Sequence, residues 1–125
     1  MDPITREQMV KEFGEPGVQN PKIVDLIRYD EDTAKVELVM IERRAWGESP
    51  KQFAEIEAKI NSYMGYVLGG HLADHYPKYT GLRVRLRLDC AQEPHGEAIA
   101  FLEAARNAIE GRGFEFVVKV AAATP

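Results

Sequence analysis

The amino-acid sequence predicts an α+β domain in which a four-stranded mixed sheet carries two helices on one face, and three observations predict it. Leu82, Val84, Leu86 and Leu88 alternate with Arg83, Arg85, Arg87 and Asp89, the two-residue period of a strand buried on one side. Phe53, Ile56, Ile60, Met64, Val67 and Leu68 recur at steps of three and four, an apolar stripe down one side of a long helix. Strand-like and helix-like segments then follow one another in the order β-β-α-β-α-β. A helix between two strands returns the chain to the same end of the sheet, so strands two, three and four are expected to run parallel, with strand one antiparallel to them.

Each element has its own signal. Thr5-Arg6-Glu7-Gln8 is a capping-box pattern ahead of Met9, Val10 and Phe13, which predicts a short helical arm. Gly14, Pro16, Gly17, Asn20 and Pro21 are too dense for regular structure, so residues 1–21 read as an arm and linker. The short β-branched run from Ile23 to Ile27 suits a strand, and the Asp30-Glu31-Asp32 cluster turns it back into a second strand over Lys35–Ile41. There Val36, Leu38 and Met40 share one face, and Lys35, Glu37, Val39 and Ile41 the other. Ser49 as N-cap, Pro50 at the first helical position and Gln52 closing a capping box predict the start of the long helix. Its polar positions include Lys51, Glu55, Glu57 and Lys59.

Gly69-Gly70 ends or kinks this helix, and His71–Tyr76 resumes for a turn or two before Pro77 and Gly81. After the Gln92–Gly96 loop, Ala98, Ile99, Leu102, Ala105 and Ile109 form the second helical stripe, stopped by Gly111 and Gly113. Phe114, Phe116, Val118 and Val120 make the last strand, opposite Glu115, Val117 and Lys119. The domain is therefore expected over residues 22–121, with a frayed tail at 122–125.

Composition narrows the function classes. A chain of 125 residues with 45% apolar content supports one core rather than two full domains, and needs neither disulfides nor a structural metal to be stable. A net charge of −4 disfavours a dominant nucleic-acid footprint. The lone cysteine, Cys90, has no partner for an internal disulfide, and neither a leader pattern nor an apolar run of about 20 residues is present, so the cytoplasm is the expected compartment and no membrane partner is expected.

Several residues carry a resemblance. Val24-Asp25, the Val36–Met40 strand, Arg44 and Trp46, Lys59-Ile60-Asn61-Ser62-Tyr63, Leu68 with Gly70, Leu72, Tyr76-Pro77 and Gly81 to Arg85 together resemble a family of small bacterial proteins known only as a domain of unknown function. The likeness spans about residues 20–120, and its best markers are the helical Lys-Ile-Asn-x-Tyr and the later Tyr-Pro. It implies no activity, cofactor or catalytic residue.

The candidate sites rest on the residues themselves. Arg43, Arg44, Trp46 and Ser49 fall between the second strand and the long helix, at the edge where both helix N-termini are expected to point backbone N–H groups outward, which suits a small anionic ligand. His71 and His75 are four residues apart, the spacing that lets two imidazoles on one helical face reach one metal ion. With Asp74 they are similar to the His-x-x-Glu-His motif of zinc peptidases, the Asp being one methylene short. A metal-dependent hydrolase is the reading that follows, with no third ligand at a characteristic distance. Cys90, just past the third strand and near His95, is a candidate thiol nucleophile whose ordinary alternative is a small buried hydrophobe.

Arg83, Arg85 and Arg87 form a basic stripe on the face away from the helices. It is compatible with weak nucleic-acid binding, but stacking aromatics are missing from the neighbouring positions, which are Glu37, Val39, Ile41, Glu115, Val117 and Lys119. Cross-strand Arg–Glu contacts around a small aliphatic patch suit a subunit interface better. Asp25, Glu37 and Glu42 invite comparison with metal nucleases, whose Asp…Glu-x-Lys spacing fails at Val39 and is only approximated at Arg44. The expected function is a non-catalytic interaction or regulatory module that needs no cofactor, homodimerises through its open sheet face and has an anion-binding edge.

Overall fold

A computed structural model describes residues 15–121, so the expected helix at Met9–Phe13 and the tail lie outside the described residues. The elements run β1 (Leu26–Asp30), β2 (Lys35–Glu42), α1 (Gln52–Leu68), α2 (His71–His75), a 3-10 turn (Pro77–Tyr79), β3 (Arg83–Cys90), α3 (Glu97–Glu110) and β4 (Glu115–Val120). The strands form one sheet in the order β1-β2-β3-β4. β1 is antiparallel to β2, and β2, β3 and β4 are mutually parallel. The fold is thus the α+β arrangement and mixed sheet that the periodicities predict. No described helix is long and apolar enough to cross a membrane.

The core fills the space between the helices and one face of the sheet. Val36, Leu38 and Met40 of β2, Val84, Leu86 and Leu88 of β3 and Phe116 of β4 pack with Ile56, Ile60 and Met64 of α1 and with Leu102 and Ile109 of α3. Burial of such side chains, about 1.5–3 kcal/mol each, holds the layers together. Gly70 ends α1 in the left-handed region at φ 85°, a conformation costly for a residue with a Cβ, and its N–H donates to the Val67 carbonyl.

Three local expectations differ from the structure. β1 begins at Leu26 rather than Ile23, because the Ile23 carbonyl and the N–H and carboxylate of Asp25 are bonded by Lys59 and Tyr63 of α1 instead of by a strand ladder. The Ser49 capping box does not form. Ser49 Oγ accepts the Lys51 N–H, while Gln52 is buried and bonds the preceding loop, accepting from Gly47 N and donating to Ala45 O. Lys59, placed among the polar positions of the helix, is fully buried. On the face away from the helices, Val39 and Glu37 of β2 are as buried as the core, at 0% and 1% exposure.

The segment before β1 lies against the body. Val18 is buried and its N–H donates to the Ile41 carbonyl, continuing the edge of β2 past the point where β1 has left it.

Candidate functional site

β2 and β3 end side by side, with Glu42 opposite Cys90, and the chain then crosses to the start of α1. At this end lies a cleft of about 390 Å³ lined by Trp46, Ser49, Phe53, His95 and Glu97 among others. Trp46 closes the core here, its Nε1–H donating to the Gln92 carbonyl at 2.8 Å. Glu42 is fully buried, and Arg44 grips it in a bidentate pair, Nε to Oε1 at 2.9 Å and Nη2 to Oε2 at 2.8 Å, while Nη1 donates to Glu55. The bond to Glu42 raises the Arg44 pKa further above its ordinary value. Arg43 reaches the other way and donates to the Pro16 carbonyl at 2.9 Å. Of the four residues expected at an anion-binding edge, Trp46 and Ser49 therefore line the cleft, whereas both guanidinium groups are bonded elsewhere.

The sheet face away from the helices brings together every residue expected there. In register across it stand Arg28, Glu37, Arg85 and Glu115 in one row and Leu26, Val39, Arg87 and Val117 in the next. Glu37 is the hub. Its carboxylate meets Arg28 at 3.0 Å, Arg85 at 3.1 Å and Arg87 at 3.3 Å. Arg87 also donates to Asp89 at 2.7 and 2.9 Å, Arg85 reaches Asp30, and Lys35 pairs with Glu115. The pKa values of Arg85 and Arg87 are raised, first by the bonds to Glu37 and Asp89 respectively. Arg83 and Lys119 stay exposed at the margins. Sequence spacing found these residues but not the hub, since the antiparallel placement of β1 alone brings Arg28 over Glu37.

His71 and His75 share a face of α2 beside Tyr66, on which His71 stacks while His75 lies tilted; the imidazole centroids are 6.3 Å apart, and the Tyr66 hydroxyl is hydrogen-bonded to His75 Nδ1 at 2.9 Å. Among the described residues, no group of three or more His, Cys, Asp or Glu side chains is placed to hold a metal ion.

Cys90 is 1% exposed, and burial, helped by the nearby charges of Glu42 and Asp89, pushes its thiol up to about 12. That favours the neutral thiol, the opposite of nucleophile activation. The raised folded-state value stabilises the protein fully below the unfolded thiol pKa, near 9.0, and that contribution is lost as pH climbs from there toward 12. Between pH 8 and pH 10 the wild type is therefore expected to lose about 1 kcal/mol more stability than Cys90→Ala. Urea unfolding at the two pH values measures this difference, and equal losses would contradict it.

A further cluster was not expected as such. Lys59 and Tyr63, one turn apart on α1, reach down to the segment that precedes β1. Lys59 Nζ donates to the Ile23 carbonyl and to Asp25 Oδ1, both at 2.8 Å, and to the Asn20 carbonyl. Asp25 in turn accepts the N–H of Gly17 through Oδ1 and that of Ile41 through Oδ2. The Tyr63 hydroxyl accepts the Asp25 N–H and donates to the Val39 carbonyl at 2.7 Å. Backbone groups that a strand would otherwise satisfy are met by three side chains. Burial lowers the Lys59 pKa, against the opposing pull of Asp25, and burial also raises that of Tyr63. The cluster is a buried fastening between α1 and the sheet edge. The signal for it was Gln52, Ile56, Lys59 and Tyr63 falling at core-facing steps of four, three and four.

Asp25, Glu37 and Glu42, the carboxylates that invite comparison with metal nucleases, thus each engage an internal cation. In comparison with known proteins, a family described as "Family of unknown function (DUF6572)" matches residues 17–122. No curated protein and no solved structure matches the chain significantly.

Proposed function

We propose a non-catalytic role for this chain, which belongs to the DUF6572 family of unknown function: it is an interaction module that homodimerises, with its open sheet face as the surface offered to a protein partner. The observation that carries this reading is the ion lattice centred on Glu37, beside the row in which Leu26 and Val117 keep accessible apolar surface. A surface whose positive and negative groups are already matched to each other, with apolar side chains among them, suits a protein partner rather than a polyanion. Leu26 is 49% exposed at the end of that row. The internal engagement of Arg44, Glu42, Asp25 and Lys59 supports the non-catalytic half, because a carboxylate or amine held in a buried pair is not free to move a proton.

Sedimentation velocity over a concentration series tests it. The expected result is a species of twice the 14.1 kDa chain mass that gains population with concentration. A single 14.1 kDa species up to the highest soluble concentration would overturn the homodimer.

A further inference from the structure

The open sheet face offers a second copy a matched surface but no register, and the outer edge of β4, which borders that face, supplies one. β4 pairs only with β3 among the described strands. The Ala121 N–H donates to the Cys90 carbonyl, so by the two-residue alternation of a strand the N–H and C=O groups of Val117 and Lys119 also turn toward β3. Those of Phe116, Val118 and Val120 turn outward. Among the described residues no backbone group bonds to them. The strand, Glu115-Phe116-Val117-Val118-Lys119-Val120, is rich in β-formers, contains no proline, and carries Val120 at 43% exposure. Such an edge is a ready template for another strand.

We propose that two copies of the chain pair antiparallel along β4 with Val117 on the two-fold axis, joining the two four-stranded sheets into one. This rests on the homodimer reading above. Three constraints select the register. A two-fold axis normal to the sheet keeps the helices of both copies on the same side, so residues placed opposite each other must belong to the same face. The residues with outward backbone groups must oppose one another, which Phe116 opposite Val118 satisfies on both sides of the axis. Finally, centring on Val117 sets Glu115 of each copy opposite Lys119 of the other, an attractive cross-strand pair made twice. Shifting the axis to Val118 sets Lys119 opposite Val117, and shifting it to Phe116 sets Glu115 opposite Val117, so both charge pairs are lost. Lys119 is exposed and makes no ion pair among the described residues, which leaves it free for this contact. The Glu37 lattice and its mate would then form one continuous surface across the two copies.

Two sets of variants of the full chain test the pairing. Val117 on the axis is a non-hydrogen-bonded pair, with Cα atoms about 4.5 Å apart, within disulfide range. V117C is expected to form a disulfide-linked dimer under mild oxidation, while an exposed site away from the edge, K51C, remains largely monomeric under the same conditions. In the charge-swap set, E115K and K119E each place like charges opposite each other twice, and each is expected to weaken self-association roughly tenfold. Mixed together they place Lys opposite Glu at both positions, so the mixture is expected to recover wild-type affinity as a heterodimer. V117C that links no faster than K51C, together with a mixture no tighter than either variant alone, would overturn the edge pairing. If the wild type nevertheless sediments as a dimer, the homodimer reading stands and only the edge falls; if it is monomeric throughout, both fall.

Discussion

Lys59→Ala is expected to lower the stability of the protein by about 3–5 kcal/mol, the range for removing one partner of a buried ion pair. The amine is fully buried and supplies three contacts, to the carbonyls of Asn20 and Ile23 and to Asp25. Its removal leaves the Asp25 carboxylate inside the protein with, among the described residues, the Gly17 and Ile41 amides as its remaining hydrogen-bond partners. Against a typical domain stability of about 5–15 kcal/mol this is a large fraction. Urea unfolding with an unchanged m-value is the measurement. Lys59→Met separates charge from volume: it restores most of the stem, so a loss close to that of the alanine variant identifies the pair as the cause. A loss under about 1 kcal/mol for the methionine variant would show that packing of the stem is the larger effect.

Glu37→Gln is the second large effect, expected at about 2–3 kcal/mol because one charge is shared by three guanidinium groups in partly buried surroundings. It has a functional signature as well. In the wild type the Arg28, Arg85 and Arg87 charges close onto Glu37, which is why a stripe of arginines reads as a balanced surface. Without that carboxylate the face becomes a basic patch, and binding to heparin or to non-specific duplex DNA is expected to strengthen and to fall more steeply with salt. Retention on a heparin column against salt reads this directly. A wild type already retained as strongly as the variant would mean that the stripe meets polyanions in the native protein.

The layout of the sheet was legible from a few residues. The alternation from Leu82 to Asp89 and the two helical stripes fix which side of each element is buried, and helical connections dictate the parallel order of β2, β3 and β4. The polar interior was not legible. Lys59 sits in the helix at a core-facing step, but a lysine on an amphipathic helix is ordinarily solvated, and only the arrival of Asp25 and two carbonyls from about 35–40 residues earlier in the chain makes its burial tolerable. Lys59 and Tyr63 were visible as markers of kinship without a role, and the structure gives them one. Arg43 and Arg44 show the converse. Their place in the loop was evident, yet their direction depended on Pro16, on Glu42 turning inward and on Glu55 one turn into α1, contacts that no local pattern encodes.

The most direct test of a homodimer paired along the β4 edge is amide hydrogen exchange read residue by residue at low and high protein concentration. In β4 the amides of Val117 and Lys119 face β3 and are expected to be protected at both concentrations. Those of Phe116 and Val118 face outward and are expected to gain protection, by roughly tenfold or more, only as concentration rises and the second copy arrives. Protection of Phe116 and Val118 that does not change with concentration, while Val117 and Lys119 remain protected, would contradict it.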